Sequence, residues 1–221
     1  VSTAPDAAAR EAERRDVVGA LGGSRLFEQP RWAHEAAAWR AFVAAGPPVL
    51  VEIGFDHGRR LTHTAKHHPG WRVAGLEIRR RRVDEAVAWA AANGLDNLLA
   101  WRADARTVLA TLTPPASLTV VEALFPDPWW IPAHRDRRLL VSARFLDDVA
   151  AALVPGGVLH LATDVADYAD HIAALLAAHP SLEVDPAAAS MRPACEASSR
   201  REWRCERDGI PVHRFWAKKL A

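Results

Sequence analysis

Val49-Leu50-Val51-Glu52-Ile53 runs directly into Gly54-Phe55-Asp56-His57-Gly58, and a helix-forming stretch, Arg59-Arg-Leu-Thr-His-Thr-Ala-Lys66, follows at once. An apolar run, a glycine-bearing turn and a helix make the unit in which bare backbone can approach a ligand closely. Two glycines four positions apart occur in many ordinary turns, so this unit alone decides little. The next strand candidate, Trp71-Arg-Val-Ala-Gly-Leu-Glu-Ile78, decides more, because it brings Glu77 23 residues after Gly54. An acid about 20 residues beyond such a loop, at the tip of a second strand, is where doubly wound sheets grip ribose hydroxyls. A carboxylate can accept from both hydroxyls at once.

Working outward, the same alternation continues. A helix over Val83 to Asn93 stops at Gly94, a natural C-terminal cap, and a short strand around Leu98 to Trp101 delivers Asp104-Ala105. Asp104 could accept from an adenine amino group or simply cap a helix over Ala105 to Leu112. A fourth strand, Leu118 to Leu124, ends at Phe125-Pro-Asp-Pro-Trp-Trp130. A helix over Ala143 to Leu153 leads through Pro155-Gly156-Gly157 to a fifth strand, Val158 to Ala162. Thr163-Asp164 then opens a helix carrying Tyr168 and Ile172 at helical spacing, with Asp164 either a ligand contact or an N-cap. Sustained alternation of this kind predicts an α/β fold: a doubly wound, mainly parallel, Rossmann-like sheet in a single domain, with ligands at the carboxyl ends of the strands. Glu52, Glu77, Asp104, Asp127 and Asp164 all fall at such ends.

Upstream, an Ala-rich helical pattern from Trp32 to Ala45 leads into Gly46-Pro47-Pro48. Residues 1–23 read as a flexible N-terminal extension closed by Leu-Gly-Gly, and residues 24–221 as the organised domain. Downstream, an arginine-rich tail ends in Pro211-Val-His-Arg-Phe-Trp-Ala217, a late strand.

The hexapeptide after the fourth strand is the most constrained segment. Asp127 sits between Pro126 and Pro128, and proline both fixes its own torsion and restricts the residue before it, so the acid is held before any ligand arrives. With Trp129 and Trp130 beside it, it suits a flat, hydrogen-bonding substrate.

Composition narrows the class. The 221 residues carry 28 Lys plus Arg against 27 Asp plus Glu, so net charge does not announce a nucleic-acid binder, although arginines cluster at 79–82, at 135, 137 and 138, and at 200, 201, 204 and 207. Two cysteines, Cys195 and Cys205, are too few for a zinc site or a disulfide framework, which points to no metal and to a reducing cytoplasm. No apolar run is long enough for a membrane span, and no signal-peptide core stands at the N-terminus. A soluble monomer or homodimer is expected.

The series Phe125-Pro-Asp-Pro-Trp129, His134, Arg137-Arg138-Leu139, Pro155-Gly-Gly157, Ala162-Thr-Asp164 and Tyr168 resembles the tRNA (guanine-N7)-methyltransferase family, over roughly Val49 to Phe215. The resemblance implies a methyltransferase domain using S-adenosylmethionine as cofactor and tRNA as substrate. By analogy Glu52, Gly54, Asp56, Gly58, Glu77, Asp104, Ala105 and Asp127 line the cofactor. Asp127 is the implied active-site acid, and Trp129, Arg137, Arg138, Asp164, Ser199, Arg200, Arg201 and Glu202 are the implied substrate contacts.

The chain departs from the family pattern at three places. Asp56 stands where the first loop usually has its middle glycine; beside a helix N-terminus it could cap that helix or pair with the cofactor's ammonium group. Ile131 and Ala133 stand where two cations are usual. Ser199-Arg-Arg-Glu202 keeps a hydroxyl and an acid but exchanges an aromatic for a cation. These departures keep two alternatives open: a paralogue methylating a ring nitrogen of a small heteroaromatic metabolite, and an RNA-binding protein without catalysis.

Overall fold

The computed structural model describes residues 30–127 and 139–221. Helix α1 (Pro30–Ala44) precedes β1 (Val49–Ile53), all five residues of which are buried, as a strand covered on both faces requires. The chain then alternates through α2 (Arg59–His67), β2 (Arg72–Glu77), α3 (Arg80–Ala92), β3 (Leu98–Arg102), α4 (Ala105–Thr111), β4 (Leu118–Leu124), α5 (Ala143–Ala152), β5 (Leu153–Thr163) and α6 (Ala166–Ala178). A short β6 (Leu182–Val184), a 3-10 helix (Pro186–Met191), α7 (Arg200–Asp208) and β7 (His213–Lys219) follow. The strands form one sheet in the order β3-β2-β1-β4-β5-β7-β6. The first five run parallel, and β7 lies antiparallel to both β5 and β6. The order reverses between β1 and β4, the switch point at which open α/β sheets leave a crevice.

Strand alternation divides the apolar residues between two faces. Val49, Val51, Ile53, Leu159 and Leu161 pack with Trp39, Val108, Phe145, Tyr168 and Ile172 from α1, α4, α5 and α6. Leu50, Val73 and Val120 pack on the other side with Phe55 and with Leu61, Ala65, Val83 and Ala86 from α2 and α3. The sheet is therefore doubly wound, as expected. Among the described residues no helix is long and apolar enough to cross a membrane.

Several boundaries differ from expectation for identifiable reasons. The arginine run enters α3 as its first turn, and the helix ends at Ala92 just before Gly94, whose φ is 63°. β5 starts at Leu153 and passes straight through Pro155-Gly156-Gly157, because the extra residues bulge out: Leu118 pairs with Leu153 and Val120 with Val158. A Cβ on Gly157 would lie 2.9 Å from the Val154 carbonyl oxygen and 3.1 Å from that of Thr119, so the bulge needs a glycine there. β6, the 3-10 helix and α7 were not foreseen. For α7 a signal existed: Ser199 and Glu202 form a complete capping box, a pattern visible as Ser-x-x-Glu. The expected extension at 1–23 lies outside the described residues.

Gly75 shows how tightly the α2–α3 side of the sheet is packed. A Cβ there would meet Phe55 Cδ1 at 2.5 Å and Leu61 Cδ2 at 2.6 Å. Gly75→Ala is expected to cost about 1–3 kcal/mol through overpacking, seen as a lowered thermal midpoint. An unchanged midpoint would mean that Phe55 moves aside freely.

Candidate active site

The carboxyl ends of the parallel strands are stapled to their neighbours before any side chain is considered. Gly54 N donates to the Leu76 carbonyl at 2.8 Å, Ala103 N to Glu77 at 3.2 Å, and Phe125 N to Ala162 at 2.7 Å. The chain turns sharply at each staple. Gly54 and Gly58 have φ of 71° and 67°, and a Cβ on Gly54 would project into open space, so a ligand can approach its backbone unobstructed. Asp56 keeps the left-handed conformation, φ 47°, which aspartate tolerates better than most residues. Phe125 is also left-handed, φ 53°, although the proline after it favours an extended backbone; its bond to Ala162 holds it there.

Glu77 is buried at the tip of β2, where Oε2 accepts from Asp56 N at 3.3 Å and Oε1 from Arg79 N at 2.9 Å. Those two backbone bonds fix the carboxylate's plane while leaving each oxygen a second lone pair. Asp104 caps α4, accepting from Arg106 N at 2.9 Å, and its other oxygen accepts from Arg106 Nη2 at 2.8 Å. Ala105 is the buried first residue of that helix. Asp127 is exposed at the end of the β4 turn.

At Asp56 and at Asp164 the geometry removes one of the two alternatives the sequence left open, the helix cap. Asp56 does not cap α2, whose N-cap is Gly58 with no side-chain bond; its carboxylate lies 3.2 Å from Arg82 Nε and 3.9 Å from Arg79 Nη1. The first turn of α3 reaches it sooner than the start of α2 does. Asp164 does not cap α6, whose N-cap is Val165; instead its Oδ2 accepts from both Nε and Nη2 of Arg201. Arg201 occupies the aromatic position of the family motif, so the exchanged cation is what engages the acid.

Ser199 and Glu202 close the N-terminus of α7 on each other, and Glu202 also pairs with Arg214 at 2.8 Å and Arg60 at 3.5 Å. Arg200 Nη1 lies 3.3 Å from His57 Nε2 in the glycine loop, so the loop and the start of α7 meet. Trp129, Arg137 and Arg138 lie outside the described residues, as do Trp130, Ile131, Ala133, His134 and Arg135.

A cluster beneath this edge was not anticipated. Parallel register sets Gly75, Glu52, Glu122 and His160 side by side across β2, β1, β4 and β5, and Trp216 of β7 opposite His160. His160 Nδ1 lies 2.9 Å from Glu122 Oε1, and its ring stacks on Trp216 at 3.6 Å, only 5° from parallel. Arg192 binds both Glu122 oxygens, Nη2 to Oε2 at 3.0 Å, and Arg60 Nη2 reaches Oε1 at 3.4 Å. Burial alone would raise the Glu122 pKa, but the His160 bond and the Arg192 charge outweigh it and hold the carboxyl well below the usual range. The sequence did carry one signal for the cluster: Glu122 is the one charged residue in a mainly apolar strand and so demands a cation.

Glu52 goes the other way. Burial, then the neighbouring Glu122 charge, push it up to about 8. Two buried carboxylates on adjacent strands share one ionisation, and Glu122 takes it because both arginines contact it. Glu52 therefore carries its proton near neutral pH. Its folded value lies above its unfolded one, so the stability it contributes is complete below the ordinary carboxylate range and is lost as pH rises towards about 8. Glu52→Gln mimics the neutral acid. The thermal midpoint of the wild type relative to that variant is expected to fall as pH is raised from about 5 to about 8. A difference that stays flat would mean that Glu52 is ionised throughout.

Comparison with known proteins bears on the same stretch. A family model described as "Putative methyltransferase" matches residues 47–215. A tRNA (guanine-N(7)-)-methyltransferase of Synechococcus sp. (strain JA-2-3B'a(2-13)) is 33% identical over 181 residues, which cover 81% of this chain and 75% of that protein. Another, of Alkalilimnicola ehrlichii, is 44% identical over 144 residues, 65% of this chain and 60% of its own length. Among solved structures, a tryptophan-to-alanine mutant of the 16S rRNA (adenine(1408)-N(1))-methyltransferase from Catenulisporales acidiphilia with cosubstrate SAM superposes with a TM-score of 0.53 at 19% identity, covering 84% of this chain and 92% of that one. At that identity the likeness speaks for the fold.

Proposed function

The chain belongs to the tRNA (guanine-N7)-methyltransferase family, and from that premise we propose that it transfers a methyl group from S-adenosylmethionine to N7 of a guanine in tRNA. The observation that carries this reading is the row of acids at one edge of the sheet, Glu77, Asp104, Asp127 and Asp164, beside a turn whose Gly54 backbone is open, with Glu52 buried beneath them. Bound there, the cofactor supplies an electrophilic methyl group on a sulfonium.

The residues fit such a ligand. The open Gly54 turn leaves room for the methionine end, and the oriented Glu77 carboxylate has lone pairs free for ribose hydroxyls. Asp104, tied to Arg106, lies at the end of β3 for the adenine.

Guanine N7 offers a lone pair and has no proton to lose, so what the protein must supply is orientation, worth up to about 7–11 kcal/mol in favourable cases. Asp127 positions the base, accepting from donors on its Watson–Crick edge and so selecting it over adenine. Trp129 stacks on it, a contact worth about 1–3 kcal/mol. Phosphates are met by the exposed Arg200, Arg201, Arg204 and Arg207 of α7 and by Arg137 and Arg138.

Incubation with labelled S-adenosylmethionine and unmodified tRNA is expected to yield N7-methylguanosine by mass spectrometry. Asp127→Asn keeps size but exchanges an acceptor-only group for an amide; transfer should fall at least about tenfold with tRNA affinity nearly intact. If the wild type leaves N7-methylguanosine undetectable yet turns over cofactor with a small heteroaromatic, the tRNA reading is wrong and the paralogue stands.

Cofactor binding has its own test. Glu77→Ala removes charge-assisted bonds of roughly 1.5–3 kcal/mol and should weaken S-adenosylmethionine binding about ten- to a hundredfold by calorimetry. Wild-type affinity in that variant would remove Glu77 from the site.

A further inference from the structure

The segment that carries Ser199 to Glu202 is irregular up to its last three residues, and what holds it is a side chain from the opposite half of the site. Residues 192–199 form neither helix nor strand. Fixing each such residue costs about 1–2 kcal/mol of backbone entropy, so a defined path needs specific anchors. Arg192 supplies one, binding Glu122 and donating from Nη1 to the Pro193 carbonyl at 2.7 Å. His68, just past α2, supplies another, with Nε2 2.6 Å from the Ala194 carbonyl.

Arg60 makes the third and widest connection. It is the second residue of α2, the helix that leaves the glycine loop, and it is buried. Its Nη2 reaches down to Glu122 Oε1 at 3.4 Å. Its Nη1 reaches the other way, donating to the Ala197 carbonyl at 3.2 Å and lying 3.5 Å from Glu202 Oε2. A planar guanidinium can span a carboxylate below and a carbonyl above; an ammonium, a single point of charge, cannot. Glu122 is itself fixed by Arg192 and His160, so the lower end of this bridge is anchored to the sheet.

Resting on the reading given under Proposed function, we propose that Arg60 is a positioning residue for tRNA recognition, clamping Ala197 and Glu202 to Glu122 and so setting where Ser199 to Glu202 stand relative to the glycine loop. Because the clamp springs from the first turn of α2, the cofactor loop and the substrate segment move as one body. Arg60 itself is too buried to meet a phosphate.

The test uses the full-length chain with Arg60→Met and Arg60→Lys. In both, the KM for tRNA is expected to rise, about tenfold or more for Met and less for Lys, with a smaller change in kcat and S-adenosylmethionine affinity unchanged. The slope of log affinity for tRNA against log salt should stay at the wild-type value, because no phosphate contact is lost. Amide hydrogen exchange over residues 194–202 should speed up in both variants without any RNA present. A salt slope flattened by about 1 would make Arg60 a direct phosphate contact and overturn the proposal. So would wild-type KM, or wild-type protection of residues 194–202, in a folded variant. If Arg60→Met does not fold, Arg60→Lys, which keeps a charge opposite Glu122, decides by the same readouts. Should the wild type fail to methylate tRNA, the functional reading falls by itself, and exchange over residues 194–202 still decides whether Arg60 orders the segment.

Discussion

A fully buried carboxylate, Glu122, ties the two halves of this site together. An ionised acid in the middle of a sheet is tolerable only if its charge is met on the spot; removing one partner of such a cluster typically costs about 3–5 kcal/mol. Here the partners come from three places: His160 on the next strand, Arg192 after the 3-10 helix, and Arg60 on α2. Each cation that answers Glu122 brings backbone with it. Arg60 brings the helix behind the glycine loop, and Arg192 brings the segment leading to α7. The requirement to neutralise one buried charge thus decides where the glycine loop and the segment before α7 sit.

The same principle holds at the strand ends, where most acids are already engaged by donors of the protein itself. Glu77 accepts from the turn that follows it, Asp104 from the helix it caps, Asp164 from Arg201. Pre-formed bonds of this kind fix orientation at little further entropic cost when a ligand arrives. They also give the acids different degrees of freedom. A buried, backbone-held carboxylate such as Glu77 is rigid, whereas the exposed Asp127 depends for its rigidity on the prolines beside it.

The departures from the family pattern acquire physical meaning in this setting. Asp56 fits a left-handed turn usually served by glycine, and its charge is absorbed by Arg82 and Arg79. The arginine at position 201 replaces an aromatic and forms the bond that fastens α7 to the end of β5. Neither departure disrupts the turn or the strand end on which it sits.

The fold and the line of acids were legible from the chain itself, because period-two apolar runs, glycine turns and helix caps are local chemistry and their spacing survives folding unchanged. Glu77 at 23 residues beyond Gly54 was enough to place it at a strand tip. Pairing between distant side chains was not legible. That Glu122 meets Arg60 and Arg192, that Asp56 turns to Arg82 and not to α2, and that Asp164 meets Arg201 depend on strand order and register, which place residues 26 to 70 positions apart within bonding distance. A buried charge in the sequence demands a partner, but only the tertiary structure, by deciding which cations can reach it without leaving another charge unpaired, selects which one.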